Sequence, residues 1–250
     1  MSDFVLVHGA WHGGWCWTRV LDRLRARGHR AFAPTLTGVG ERAHLLWPGI
    51  TLETHIADVR GLIEAEELER PVLVVHSYAG MIGTALADRM GERLAHLTYR
   101  DAVVPKPGES WSGTHASATR NARLADAAAD PQGSFAPPDP AVFGLAAADY
   151  EWVKRRQTRH PGKPYTDALD FDPWRVAEVP RSFIDCNAPA LGTITVIRQR
   201  VRDPRFWDGA WAGGAGARLM ELATGHDPMV SAPEALTDQL CEAAGAAATS

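Results

Sequence analysis

The most informative segment of the sequence is Val72-Leu73-Val74-Val75-His76-Ser77-Tyr78-Ala79-Gly80-Met81. An apolar run, typical of a strand buried on both faces, leads through a single serine directly into a helical segment. Small residues around Ser77 allow a tight, strained turn that lifts the serine hydroxyl above the sheet. The next backbone N–H, that of Tyr78, then lies at a helix N-terminus, where it could stabilise an oxyanion. The stretch predicts a nucleophile at Ser77, and the alternative is that Ser77 only caps the helix.

Short apolar runs and helical segments alternate on both sides of this stretch. A helix is predicted over 51–68, where apolar residues recur on one face at helical spacing. Strands are predicted at 4–7, 31–33, 72–75, 97–99, 181–186 and 217–222, with further helices over 191–201 and from Pro233. This alternation predicts the α/β class, with a mostly parallel sheet flanked by helices and joined by right-handed crossovers.

The alternation stops between residues 105 and 180. This part of the chain is rich in proline, as at Pro137-Pro138, and carries scattered aromatic residues. A structureless stretch of that length is improbable inside a compact domain. We therefore predict an inserted helical cap at 105–180, with residues 1–104 and 181–250 forming one core.

Composition narrows the classes of partner. The 250 residues are 45% hydrophobic and 22% charged, which is ordinary for a globular protein, and the net charge of -4 argues against a nucleic-acid or anionic-membrane binder. No apolar run approaches the roughly 20 residues that span a bilayer, and no secretion signal is visible. Three cysteines without CxxC spacing are too few for a disulfide framework. We expect a cytoplasmic protein that acts on a small molecule, with neither nucleic acid nor membrane as partner and a homodimer left open.

The sequence predicts neither a cofactor nor a metal site. Gly38-Val39-Gly40 and the glycines at 213–216 lack the spacing and the strand-to-helix position of a nucleotide-binding loop. His8 and His12 lie in a loop without a cysteine or carboxylate at ligand spacing, which argues against zinc.

Two further segments could complete an acyl-transfer site around Ser77. The first predicted strand ends in His8-Gly9-Ala10-Trp11, and this glycine-rich loop could give a second oxyanion N–H from Ala10. The alternative is a turn with no catalytic part. His226 directly follows the last predicted strand, and from there a general base could reach a serine on a central strand.

Together these segments resemble the α/β-hydrolase superfamily over nearly the whole chain, and in particular its small esterase and hydroxynitrile lyase branch, which includes plant methyl-salicylate esterases and bacterial relatives. The likeness rests on the segments at 7–15, 34–42, 76–80, 101–105 and 225–229. It implies a Ser–His–acid site between core and cap. Ser77 matches the family nucleophile, His226 its base, and Ala10 and Tyr78 its oxyanion donors. The chain departs from the family pattern at Val75 and Ala79, where glycine is expected.

The acid of this site is the second departure. The family places an aspartate just after the strand at 181–186, and the chain has Cys186-Asn187-Ala188 there. Three substitutes remain, of which Asp101 at the end of the preceding strand is favoured over Asp185 and Glu109; a site without any acid is the other alternative. Burial makes an idle role improbable for Asp101 or Asp185, although either could pair with an arginine instead.

The resulting hypothesis is a serine hydrolase that cleaves a small carboxylic ester. Trp11 and Trp111 are expected to bind substrate, and with Tyr78, Phe143 and Trp152 they could line an apolar cavity under the cap. The missing acid leaves two alternatives open. One is a lyase, cyclase or decarboxylase in which Ser77 and His226 move protons. The other is a small-molecule binding protein on the same scaffold.

Overall fold

A computed structural model of the chain describes residues 1–247. One sheet contains six strands: β1 (Asp3–Val7), β2 (Arg30–Phe32), β3 (Val72–His76), β4 (His96–Arg100), β5 (Arg181–Cys186) and β6 (Ala217–Leu222). The strands lie in the order β6-β5-β4-β3-β1-β2, and each neighbouring pair is parallel. The predicted α/β class with a parallel sheet is confirmed, and each predicted strand is present within a residue or two of its expected bounds.

Helices flank the sheet and join its strands. They are α1 (Thr18–Ala26), α2 (Leu52–Ala65), α3 (Gly80–Met90), α4 (Ser117–Ala129), α5 (Ala147–Lys154), α6 (Lys163–Thr166), α7 (Pro173–Ala177), α8 (Thr195–Arg200), α9 (Pro228–Ser231) and α10 (Pro233–Ala247). Helix α1 packs against α10, and α3 packs against α2 and α7. In residues 1–247 no helix combines the length and the apolar character needed to cross a bilayer. A cytoplasmic location stays a prediction.

Residues 101–180 add no strand to the main sheet. They contain α4 to α7 and two short antiparallel pairs, Glu109–Ser110 with Ala168–Leu169 and Ser134–Phe135 with His160–Pro161. Backbone hydrogen bonds tie this segment to two loops of the sheet: Thr158 N–H donates to Trp11 O at 3.0 Å, and His226 N–H donates to Phe143 O at 2.9 Å. The division into core and cap at residues 105 and 180 stays a prediction.

The valine that departs from the family pattern is accommodated by the helix that follows it. Val75 is fully buried in β3, where its branched side chain needs space on the helix side. A Cβ placed on Gly83 of α3 would lie only 2.8 Å from Val75 Cγ1. The absence of a side chain at 83 therefore provides the room that the family pattern would obtain from glycine at 75.

Candidate active site

Three of the seven non-glycine residues with positive φ in residues 1–247 lie in the loops that follow three neighbouring strands. Trp11 follows β1, Ser77 follows β3 and Asp101 follows β4, and their φ angles are +63°, +53° and +42°. Each such conformation costs about 1–3 kcal/mol in a residue other than glycine, and it persists only where surrounding structure imposes it. One such constraint is visible, because Val103 N–H donates to Ser77 O at 2.9 Å. The strained serine expected from the tight turn is thus observed.

His226 is held by a carboxylate from a different strand. Nδ1 of His226 lies 2.6 Å from Oδ2 of Asp101, and both side chains are buried. A carboxylate accepts hydrogen bonds, so this contact assigns the proton of the neutral imidazole to Nδ1 and leaves Nε2 as an acceptor. A base in this tautomer can take a proton from a hydroxyl.

The three carboxylates considered for this role have different partners. Asp101 Oδ1 accepts from Arg198 Nη2 at 2.7 Å, so each of its oxygens has a partner. Asp185 binds Arg198 and Arg202. Glu109 accepts two hydrogen bonds from Arg200. Of the three candidates, the structure brings only Asp101 to His226.

The sequence allows Asp101 or Asp185 to pair with an arginine, but it does not identify Arg198 or Arg100 as the arginines at this site. Arg198 bridges Asp101 and Asp185 from α8, and it is only 11% exposed. Arg100 is fully buried; it donates through Nη2 to His226 O and through Nη1 to Cys186 Sγ at 2.8 Å. The sequence gives only a weak signal for these two residues. Arg100 is a charged residue within β4 and Arg198 is a positive charge on α8, and no local pattern reveals the partners of either one.

The loop after β1 lies directly against the serine turn. A Cβ on Gly9 would be 2.8 Å from Ser77 Cβ and 3.1 Å from His76 Nδ1. His8 fixes the loop, since its Nδ1–H donates to Gly9 O at 2.7 Å and its Nε2 accepts from Leu36 N–H. Burial lowers the pKa of His8 to about 3, which keeps the ring neutral. Gly9 therefore packs against Ser77, and the N–H of the next residue, Ala10, stays a prediction as the second oxyanion donor.

A second buried histidine–aspartate pair clamps the other side of the same loop. His12 contacts Ala10 O through Nδ1 at 2.8 Å and Asp227 Oδ2 through Nε2 at 3.2 Å. Both partners are acceptors, so the ring carries a proton on each nitrogen. Burial opposes this charge, but the Asp227 carboxylate outweighs it, and the pKa of His12 is raised. Burial also opposes ionisation of Asp227, but the attraction of the charged His12 is larger than this effect, and the pKa of Asp227 is lowered.

One group in the described residues could in principle hold a metal. Ligand atoms of His76, His226 and Asp227 lie within 4.8 Å of one another, and all three residues are buried. Two of these side chains already have protein partners, in Asp101 for His226 and His12 for Asp227. His76 Nε2 lies 3.5 Å from Asp227 Oδ1. The protonated ring of His12 beside Asp227 disfavours a second cation in the same place, and we assign no metal there.

Ser77 and His226 line one cavity of about 540 Å³. Among residues 1–247 the Ser77 hydroxyl forms no hydrogen bond to His226, a contact that in many enzymes tightens only when substrate binds. The rest of the lining combines aromatic, aliphatic and threonine side chains with one arginine, and includes Trp11, Trp111, Phe143, Ile194, Thr119 and Arg123. Trp11 and Trp111 therefore lie where substrate-binding residues were expected.

Two aromatic residues expected in the lining lie elsewhere. The Tyr78 side chain is fully buried, and its hydroxyl donates to His55 Nδ1 at 3.0 Å while His55 Nε2–H donates to Thr37 O. The Tyr78 ring packs against Trp111 with a ring separation of 4.9 Å, and only the backbone N–H of Tyr78 is left to serve an oxyanion. Trp152 packs against Trp15 with ring centroids 5.1 Å apart, outside the cavity.

The sequence profile described as the alpha/beta hydrolase family matches residues 4–239. The chain is 38% identical to the carbendazim hydrolyzing esterase of Nocardioides sp. (strain SG-4G), over 96% of this chain and 98% of that protein. It is 29% identical to methyl jasmonate esterase 1 of Vitis vinifera over 59% of each chain.

Solved structures show the same fold. An alpha/beta-hydrolase from a Paenibacillus species superimposes with a TM-score of 0.80 at 19% identity, covering 97% of this chain and 99% of that one. A methylesterase from Arabidopsis superimposes with a TM-score of 0.74 at 21% identity, covering 98% and 99%.

Proposed function

The chain belongs to the alpha/beta hydrolase family and is a carboxylic ester hydrolase, and we propose that Ser77, His226 and Asp101 carry out its reaction. The observation that carries the proposal is the 2.6 Å contact between His226 Nδ1 and Asp101 Oδ2, which leaves Nε2 of the neutral ring able to accept a proton in the cavity that His226 shares with the strained Ser77. A nucleophile, a base and an orienting acid are the set that acyl transfer needs.

In the proposed reaction Ser77 Oγ attacks the ester carbonyl while His226 Nε2 takes the hydroxyl proton. The backbone N–H groups of Ala10 and Tyr78 hold the oxyanion, and Asp101 stabilises the imidazolium through Nδ1–H. The tetrahedral intermediate collapses as His226 gives its proton to the leaving alcohol oxygen. Water, deprotonated by His226, then attacks the acyl-enzyme; the proton returns to Ser77 Oγ and the acid leaves.

The substrate of this reaction is proposed to be an ester with an aromatic or bulky apolar part. Trp11, Trp111 and Phe143 give the cavity flat apolar walls, and about 540 Å³ suits a molecule of one or two rings. Related proteins of this family are named for carbendazim and methyl jasmonate. Their names support a cyclic substrate.

The test is hydrolysis of p-nitrophenyl acetate by the wild type, Ser77→Ala and His226→Ala. We expect losses of about 10³-fold or more in kcat for both variants. Ser110→Ala is the matched control, because Ser110 lies in residues 101–180 outside the cavity lining, and it should retain activity. Equal rates for wild type and Ser77→Ala would remove the serine from the mechanism.

A fluorophosphonate probe separates the alternatives. Labelling of Ser77 that is lost in Ser77→Ala and slowed in His226→Ala supports the acyl-enzyme route. Turnover of an ester without any labelling would favour proton transfer by Ser77 and His226 without a covalent intermediate. The absence of both labelling and turnover would favour the third alternative, a binding protein.

A further inference from the structure

One arginine faces the catalytic cavity without a carboxylate partner. Arg123 lies on α4 and lines the cavity that Ser77 and His226 share. The described lining contains no aspartate or glutamate. Within residues 1–247 the ion pairs do not include Arg123, although Asp126 and Asp130 on the same helix and the turn after it pair with Arg159. The charge of the Arg123 guanidinium is therefore not neutralised by Asp126 or Asp130, because both pair with Arg159.

The polar neighbours of Arg123 do not neutralise it. Nη1 lies 3.3 Å from His115 Nδ1, and the uncharged Tyr165 hydroxyl, 2.9 Å from the same ring nitrogen, also hydrogen-bonds the guanidinium. A ring nitrogen that faces a guanidinium N–H must accept, so His115 is neutral. Consistently, burial and the adjacent Arg123 lower the pKa of His115 to about 3.

Aromatic rings compensate only part of the cost of placing this charge inside the protein. Arg123 Cζ lies 5.0 to 5.8 Å from the ring centroids of four residues, Trp11, Trp111, Tyr165 and Phe135. These contacts stabilise the faces of the planar cation. Its N–H edges, however, are the groups that recognise planar oxyanions, through two parallel hydrogen bonds.

We propose that Arg123 binds a carboxylate carried by the substrate, so that the preferred esters of this enzyme are aromatic half-esters with a second, free acid group. This inference rests on the proposed function and names its substrate class. Within an apolar cavity a charge-assisted hydrogen bond is stronger than in water, and it is the one charge complement that the lining offers. Trp11 and Trp111 contact both the guanidinium and the cavity, so a ring seated against them has its acid group directed to Arg123.

The test compares ligands that differ only in charge. Methyl hydrogen isophthalate and methyl hydrogen terephthalate carry the free acid, and the corresponding methyl carbamoylbenzoates are their neutral counterparts. Binding is measured by quenching of tryptophan fluorescence in Ser77→Ala, which cannot turn the esters over. We expect Ser77→Ala/Arg123→Gln to bind the better acid ligand about tenfold or more weakly, and its neutral counterpart nearly as before.

Two further variants separate charge recognition from packing. Arg120→Gln removes the same charge one helical turn away, outside the lining, and should leave both affinities unchanged. Arg123→Lys keeps the charge and should restore part of the preference for the acid. Equal weakening of acid and neutral ligands in Arg123→Gln, or no preference for the acid in Ser77→Ala, would overturn the inference and leave Arg123 as a packing residue.

Measurements of ester hydrolysis distinguish a failure of this inference from a failure of the proposed function. Hydrolysis of the neutral esters that requires Ser77 but shows no role of Arg123 would uphold the mechanism and refute the carboxylate site. Binding of the acid ligands that depends on Arg123, without hydrolysis of any ester that depends on Ser77, would uphold the carboxylate site and refute the mechanism.

Discussion

Asp101 and His226 lie 125 positions apart in the sequence, and Asp101 Oδ2 is 2.6 Å from His226 Nδ1. Asp101 stands at the end of β4, one strand away from the position after β5 where the family resemblance expects the acid. Because β4 lies between β3 and β5, its carboxyl end faces the loop that carries His226. In this chain the carboxylate that reaches the imidazole therefore comes from the end of β4.

Replacing Asp101 with asparagine should reduce kcat for an ester by about 10³ to 10⁴-fold, because an amide can stabilise the wrong imidazole tautomer. Asp185→Asn is the matched control, since it breaks contacts to Arg198 and Arg202 without touching His226. It should lower the melting temperature but keep most of the activity. Comparable kcat losses in the two variants would contradict the assignment of Asp101.

Adding a methyl group at position 9 should displace the loop that carries Ala10. The new Cβ would lie 2.8 Å from Ser77 Cβ, so either the serine or the loop must move. We expect Gly9→Ala to lower kcat by up to about 100-fold, since misplacement by about 1 Å has this effect. Gly61→Ala is the control, because no atom lies within 4 Å of its new Cβ, and it should be fully active. Wild-type kcat in Gly9→Ala would show that the loop does not need its present position.

The His12–Asp227 pair should make stability depend on pH at both ends of a window. Because the pKa of His12 is raised in the folded protein, its protonation contributes to the free energy of unfolding. This contribution is complete below pH 6.5 and is lost as pH rises through the folded-state pKa of His12. Because the pKa of Asp227 is lowered in the folded protein, its ionisation also contributes to the free energy of unfolding. This contribution is complete above pH 3.8 and is lost as pH falls through the folded-state pKa of Asp227. Both contributions are therefore complete between these two pH values.

Breaking the pair with His12→Gln should cost roughly 3–5 kcal/mol of unfolding free energy in that window, because it leaves a buried charge without its partner. Denaturant unfolding at several pH values measures the difference, which should shrink above and below the window. The exposed His44→Gln is the control. A difference that does not vary with pH would mean that His12 is neutral in the folded protein.

The space that Gly83 leaves for Val75 can be tested with a pair of substitutions. Gly83→Ala should destabilise the protein by about 1–3 kcal/mol, because its Cβ would lie 2.8 Å from Val75 Cγ1 in a packed core. In Gly83→Ala/Val75→Ala the colliding methyl groups are gone, so the double variant should be more stable than the sum of the single changes predicts. Strict additivity of the two unfolding free energies would refute the coupling.

Local sequence signals identified most of the fold. The apolar runs of β1 and β3, the glycine-rich loop after β1, and the serine between a strand and a helix each carry their signal within about ten residues. The helix α10 begins at Pro233, as the sequence predicts. The positions of Ser77 and His226 after strands followed from the same local patterns.

Partners from distant parts of the chain had to come from the tertiary structure. The sequence favours Asp101 over Asp185 and Glu109 and leaves a site without any acid open. Only the strand order and the positions of the α8 arginines show that Asp101 meets His226. His12 gave a signal only as an unlikely metal ligand, since its aspartate is 215 residues away. No local pattern marks Arg123 either, because the four rings around it come from residues 11, 111, 135 and 165. Periodicity and turn chemistry act between neighbours in sequence, so they specify strands, helices and turns. Ion pairs and cavities depend on which surfaces pack together, and local patterns do not specify that packing.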